Sequence, residues 1–140
     1  MYEFLMSNNA GKYLVRNGMN IFFPGSQNYW ERRYSKNGNS GSGSYGESAT
    51  YKAVFLDRFV KENKIGKVIE LGCGDGNQLQ QFHFSEYIGL DVSPTAIRKC
   101  EEIFKEDTSK KFFLYEPALR QVQGDILEDF VSDLALSLDV

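Results

Sequence analysis

The segment Val68-Ile-Glu-Leu-Gly-Cys-Gly-Asp-Gly76 constrains the fold more than any other part of this 140-residue chain. Lys67-Val-Ile-Glu-Leu71 is short and β-branched, suited to a strand buried on both faces, and three glycines within five positions follow at once. Missing side chains let backbone approach a ligand closely, and a strand that runs through such a turn toward a helix aims its amides at whatever binds there. A buried strand cannot stand alone, so the rest of the chain must supply neighbours for it.

Those neighbours are legible downstream. A helix is expected from about Asn77 toward Phe82, and Tyr87-Ile-Gly-Leu-Asp91 reads as a second strand. Ser93-Pro94 starts a helix, because serine can cap orphan amides and proline at the first helical position forfeits no hydrogen bond. Ile97, Cys100, Ile103 and Phe104 give that helix one apolar face. Lys111-Phe-Phe-Leu-Tyr115 is a third strand and Leu134-Ala-Leu-Ser-Leu138 a fourth. Strands alternating with helices predict an α/β fold with a mostly parallel sheet.

Upstream the pattern is less regular. From Tyr51 a helix is expected, with Val54, Phe55, Phe59 and Val60 on its apolar face, Thr50 as its N-cap and Gly66 as its terminator. Ser35 to Ser48, where Gly38, Gly41, Gly43 and Gly46 alternate largely with serine and asparagine, reads by composition as a flexible linker. Before it, Ser26 to Tyr34 is aromatic and cationic and holds the only tryptophan. Residues 1–25 show no sustained period beyond a turn at Pro24-Gly25, and no structure is assigned to them.

Composition excludes several function classes. With a net charge of −3 there is no global positive field to hold DNA or RNA, so a nucleic-acid substrate is disfavoured. Cys73 and Cys100 have no CxxC spacing and His83 is the single histidine, so neither a zinc site nor a disulfide framework is expected. No stretch is apolar enough for a signal peptide or a membrane span, and the chain reads as a cytoplasmic, soluble protein of one domain's length.

Acidic residues narrow the ligand. A dinucleotide turn of the NAD type would show GxGxxG, but its third glycine would fall at Asn77. Glu70 and Asp75 instead bring two carboxylates to the turn, which would repel a pyrophosphate and suit a ligand bearing an ammonium and a sulfonium. Asp91 ends the second strand about twenty residues after Glu70, where a carboxylate can accept hydrogen bonds from both ribose hydroxyls. These residues predict a slot for a cation-bearing nucleoside.

At these positions the chain resembles the class I S-adenosylmethionine-dependent methyltransferases. Val68 to Asn77 is similar to their first motif, and Tyr87-Ile-Gly-Leu-Asp-Val-Ser-Pro-Thr-Ala-Ile97 to their second-strand motif. The resemblance implies a Rossmann-like three-layer sandwich with S-adenosyl-L-methionine as cofactor. It implies that Gly72, Cys73 and Gly74 present backbone to the methionine part, with Gly76 and Asn77 completing the turn. Glu70 or Asp75 would lie near the ammonium, with Asp91 on the ribose and Val92 beside it. The upstream Tyr29-Trp-Glu-Arg-Arg-Tyr34 and Gly43-Ser-Tyr-Gly46 look like a subgroup of these enzymes. There the apparent linker becomes an arm, including Tyr45, that folds over the cofactor, with Arg33 available for the methionine carboxylate and Tyr29 or Trp30 lining the pocket. Residues 1–50 are then an N-terminal arm and covering loop, and residues 51–140 the cofactor-binding domain.

Each assignment has a plainer counterpart. Tyr29, Trp30, Arg33 and Tyr34 are equally explained as a packed aromatic cluster, Cys100 as core, and His83 as a surface residue. Two residues compete for the adenine, Glu116 directly after the third strand and Asp125 in a Gly-Asp pair, with the β-rich run before Glu116 favouring it. Asp139, after the fourth strand, is the candidate general base, or else a loop acid. The family's sheet has seven strands and this chain supplies four, so the sheet is expected to be incomplete on its C-terminal side. A truncated form is predicted to associate through the exposed edge Leu134 to Leu138, and its catalysis is an open expectation. The acceptor is expected to be a small molecule. The competing functions are an NAD-type oxidoreductase domain and a non-catalytic, cofactor-binding remnant.

Overall fold

The computed structural model describes residues 25–115 and 132–138, together with the backbone of three strands, β1 (Phe4–Met6), β2 (Lys12–Arg16) and β3 (Met19–Phe23). These three form an antiparallel sheet in the order β1-β2-β3, with Leu14 opposite both Phe4 and Ile21. No sequence period announced it.

The expected strands form one all-parallel sheet. β4 (Lys67–Leu71), β5 (Glu86–Asp91), β6 (Lys110–Leu114) and β7 (Leu134–Leu136) lie in the order β6-β5-β4-β7. Register puts Val68 opposite Tyr87 on one side and Leu134 on the other. The order reverses at β4: the chain steps outward through β5 and β6, then crosses back to lay β7 on β4's other edge. Such a reversal opens a crevice at the carboxyl ends of the strands.

Helices α2 (Gly46–Glu62) and α3 (Pro94–Ile103) cover one face of this sheet. One buried cluster joins Ala53, Leu56 and Val60 of α2 to Val68, Tyr87, Ile97 and Cys100, with Phe112 and Leu134 packed against it. Ile69 and Ile88 point to the other face and are buried too, as strands buried on both sides require. Asp133, just before β7, accepts hydrogen bonds from the amides of Gly66 and Lys67 at 2.8 and 2.9 Å and so fastens the entry of β7 to that of β4. Those donors hold its carboxyl below the usual range.

α3 begins as its sequence predicts. Ser93 accepts from the Ala96 amide at 3.1 Å, Pro94 occupies the first turn, and Cys100 is fully buried. α2 departs from expectation in two ways. It starts at Gly46, so Thr50 is an interior residue whose hydroxyl bonds back to the Gly46 carbonyl at 3.2 Å, not an N-cap. Its buried stripe is Ala49, Ala53, Leu56 and Val60, whereas the expected Val54, Phe55 and Phe59 are 67%, 49% and 38% exposed. That stripe packs into the core cluster with Val68, Leu79, Phe82, Phe84 and Tyr87, which leaves the aromatic side of the helix on the surface.

The helix expected after the glycines is a single 3-10 turn, Leu79–Gln81, and Phe82 is already extended. Phe82 and Phe84 are both buried with ring centroids 4.9 Å apart, while His83 between them faces out. Burial of alternate residues requires extended backbone. His83 is a surface residue, paired at 2.6 Å with Asp57 of α2.

Candidate functional site

α1 (Ser26–Ser35) and the glycine- and serine-rich stretch after it build one wall of the site. That stretch is ordered by hydrogen bonds and is not a free linker. Asp75, in the middle of the glycine turn, accepts from the Ser40 amide at 3.1 Å, the Ser40 hydroxyl at 2.8 Å and the Tyr45 hydroxyl at 2.7 Å. Asn77 donates to the Ser44 carbonyl at 2.7 Å. Four groups of the arm are therefore tied to two residues of the turn. Burial and the neighbouring Asp75 push the Tyr45 hydroxyl up to about 12, so it stays a donor.

Gly74 explains why the turn must be bare. Its φ is +62°, and a Cβ there would stand 2.3 Å from the Ser40 hydroxyl oxygen. Gly76 is bare for another reason: a Cβ would come within 3.1 Å of the Cys100 sulfur, so this glycine lets α3 close onto the turn.

Asp91 closes the other flank. It accepts from the Gly74 amide at 2.9 Å and the Ser93 amide at 2.9 Å, and is only 7% exposed. Burial raises its carboxyl above the usual range against the pull of these amides, and the charge of Asp75 adds to the rise. Glu70, 4% exposed at the end of β4, receives the Tyr87 hydroxyl at 2.5 Å. Cys73 is held well up by its contact with Cys100 and by burial, so it is a neutral wall and not a thiolate nucleophile.

Between these groups lies a cavity of about 470 Å³. Its floor is Gly72, Cys73 and Gly74 with the strand ends Leu71, Leu90 and Asp91. Trp30, Tyr34 and Ser40 wall it on the arm side, Val92 and Tyr115 beside β5 and β6, and Ser137 after β7. Glu70 reaches it and, among the described residues that line it, none is a lysine or arginine.

The sequence-predicted residues divide accordingly. Glu70, Gly72, Cys73, Gly74, Asp91, Val92 and Trp30 meet in the cavity wall. Asp75, Gly76, Asn77 and Tyr45 lie behind it and hold the turn, the arm and α3 together. Arg33 does not line the cavity: its guanidinium donates to the Asn39 carbonyl at 2.6 Å and stacks 5.6 Å from the Trp30 ring. Tyr29 is 42% exposed and meets Trp30 edge-on at 5.2 Å. Glu116, Asp125 and Asp139 lie outside the described residues.

Other contributors lay in stretches the sequence singled out, but had no site role assigned to them individually. Tyr34 is 3% exposed, stacks on Trp30 and shares a 3.0 Å hydrogen bond with Ser40; burial raises its hydroxyl far above the usual range, so it too stays protonated. Glu31 of α1 accepts from the Ser93 hydroxyl at 2.6 Å, the Thr95 amide at 3.0 Å and the Thr95 hydroxyl at 2.6 Å, tying α1 to the start of α3. Gln78, to which the sequence assigned no role, is 5% exposed and lines the cavity.

No family model matches the chain, and no curated protein matches it in sequence. Solved structures do. A Staphylococcus aureus protein assigned as a caffeoyl-CoA O-methyltransferase is 13% identical with a TM-score of 0.53, the alignment covering 79% of this chain and 52% of that one. The S-adenosylmethionine-bound CalS10 of Micromonospora echinaspora, an amino pentose methyltransferase, is 16% identical with a TM-score of 0.50, covering 86% of this chain and 44% of that one. The chain thus spans about half the length of these structures. Its parallel sheet, the reversal at β4 and the glycine turn at the strand ends give this chain the Rossmann-like fold of the class I S-adenosylmethionine-dependent methyltransferases.

Proposed function

We propose that this chain binds S-adenosylmethionine in the cavity above the glycine turn and forms the cofactor-binding part of a methyltransferase acting on a small molecule. The observation that carries the reading is the electrostatic character of that cavity. Glu70 and Asp91 stand in its wall, Asp75 lies just behind, all three are buried, and no cationic side chain lines it among the described residues. Such a pocket favours a ligand with positive charge and disfavours a pyrophosphate.

The residues present fit the group. Asp91, at the end of β5, would accept from the ribose hydroxyls; its bonds to the Gly74 and Ser93 amides, which orient the carboxylate, support this reading. Bare backbone at Gly72 to Gly74 leaves room for the methionine chain, and Glu70 offers the negative charge nearest to it. Trp30, Tyr34 and Tyr115 give aromatic surface to the rest of the wall. When bound, the sulfonium supplies an electrophilic methyl group and departs as a neutral thioether. The protein's task is then to hold the acceptor in line and exclude water, which positioning accomplishes without a charged nucleophile. Asp139 remains our candidate base, and Glu116 or Asp125 our candidate partner for adenine.

Calorimetric titration with S-adenosylhomocysteine and, separately, with NAD tests the binding. The expected result is micromolar binding of the first and none of the second. Preference for NAD would replace the proposal with an oxidoreductase. Release of S-adenosylhomocysteine in the presence of pooled small-molecule acceptors tests the transfer.

A further inference from the structure

One side of α2 is apolar and turned to solvent. Tyr51, Val54, Phe55 and Phe59 are 76%, 67%, 49% and 38% exposed, and the rings of Phe55 and Phe59 stack with centroids 6.4 Å apart. They recur at helical spacing on the side opposite the buried stripe Ala49, Ala53, Leu56 and Val60. Single apolar side chains on a surface are ordinary, whereas a contiguous patch marks an interaction site. None of the four lines the cavity, so cofactor binding does not account for them.

Charges at the two ends of the patch indicate what covers it. Glu47, Tyr51, Val54 and Arg58 follow one another at steps of four, three and four residues and so form one ridge along the helix. Glu47 and Arg58 are both exposed, and neither is engaged in a salt bridge among the described residues. An acid at one end and a base at the other, with apolar residues between, is the pattern of a surface complementary to its own reversed copy.

We infer that α2 pairs with α2 of a second copy of this chain, antiparallel about a two-fold axis that passes between Tyr51 and Val54. That axis sets Glu47 opposite the partner's Arg58 and Tyr51 opposite the partner's Val54, and symmetry repeats both pairs. Acid meets base at each end, and a ring meets an aliphatic side chain in the middle. A parallel pair would bring Glu47 against the partner's Glu47 and Arg58 against the partner's Arg58, which is unfavourable at both ends. Phe55 and Phe59 flank the ridge and widen the apolar contact. The rival surface is the sheet edge at β7, but that strand is three residues long and its Leu134 and Leu136 pack against the core cluster. A single helix pair lies at or below the about 1,200 Å² where specific interfaces begin, so the dimer is expected to form in the micromolar range.

Sedimentation velocity over a concentration series reaching the high micromolar range tests the pairing, at low ionic strength where exposed charges are least screened. The samples are wild type, Glu47→Lys, Arg58→Glu and an equimolar mixture of the two variants. Either change alone places like charges at both ends of its own dimer, and association is expected to weaken about tenfold. In the mixture the introduced lysine meets the introduced glutamate while the untouched Arg58 meets the untouched Glu47, so a heterodimer close to wild-type strength is expected. Wild type that stays monomeric throughout overturns the inference and leaves the face to a different protein. Variants that dimerise like wild type, or a mixture that fails to recover, overturn it as well; loss of the dimer in Ala135→Pro, without response to either charge change, would assign association to the β7 edge. Circular dichroism checks folding. If a charge variant does not fold, Val54→Gln decides, since the position is exposed and glutamine is a good helix former: weaker association is expected, and unchanged association overturns the inference. None of these readouts involves S-adenosylmethionine, so their failure leaves the cofactor reading standing.

Discussion

The carboxylate of Asp75 lies 2.8 Å from the hydroxyl of Ser40, joining the centre of the glycine turn to an arm 35 residues earlier in the chain. Ser40 answers through its own hydroxyl, which accepts the Asp75 amide at 3.0 Å. Turn and arm are thus closed by reciprocal bonds, and the cavity has a wall on the arm side because of them. Asp75→Asn leaves one acceptor oxygen where the carboxylate used two, setting an amide against donors from Ser40, Tyr45 or Asn77. The expected cost is about 1–3 kcal/mol in arm closure. Amide exchange at Ser40 should accelerate by tenfold or more, and S-adenosylhomocysteine affinity should fall with it.

Gly74→Ala attacks the same contact from the other partner. The new methyl would sit 2.3 Å from the Ser40 oxygen and force a residue with a Cβ to hold φ at +62°. About 1–3 kcal/mol of strain is expected, released by opening the arm. Urea denaturation should show the lower midpoint, and calorimetry weaker S-adenosylhomocysteine binding than wild type. Unchanged values in both would mean that the arm is not seated on the turn.

The role proposed for Asp91 predicts that binding depends on pH. Burial raises its pKa above the ordinary 3.8, so the folded chain takes up this proton more readily than the unfolded chain does. Its effect on stability is therefore most favourable below 3.8 and is lost as pH rises through the raised value. The proposed ribose recognition would run the opposite way, because accepting from two hydroxyls favours the ionised form. S-adenosylhomocysteine affinity should fall as pH drops through that raised pKa. In Asp91→Asn the affinity should be lower throughout and flat over the same window, as calorimetry at several pH values would reveal.

Glu31 predicts a stability effect of the opposite sign. Burial works against its ionisation, but donors from Ser93 and Thr95 and the charge of Arg98 bring its pKa below the ordinary 4.5. The contribution is present above 4.5 and lost as pH falls through the lowered value. Glu31→Gln should reduce stability by about 0.5–1.5 kcal/mol at neutral pH, measured by denaturant midpoint. The gap to wild type should close in acid.

Much of the frame was legible because it rests on short-range chemistry. Lys67–Leu71 forms a strand since a β-branched run before glycines has little else to do, and Ser93-Pro94 opens α3 since capping is decided within four residues. α2 was legible only as a helix. Which stripe it buries depends on what lies beneath, and Ala53, Leu56 and Val60 meet the core cluster while Phe55 and Phe59 stay exposed. The helix expected after the turn failed for a related reason: Phe82 and Phe84 each found a place in the core, and extended backbone was needed to deliver both.

For the site, the sequence by itself determined the glycine turn, the carboxylates of Glu70, Asp75 and Asp91 around it, and the parallel sheet that carries them, because strand, turn and acid follow one another within one short strand–crossover–strand unit. Only tertiary structure decided which acid faces the cavity and which is consumed in holding the arm. Asp75 and Glu70 are indistinguishable as letters beside glycines; Ser40, Tyr45 and Gln78 acquire their contacts from partners 29 to 35 residues away, and Tyr34 its place from burial. Spacing along the chain records local geometry, whereas the partner of a buried polar group is set by what the fold packs against it.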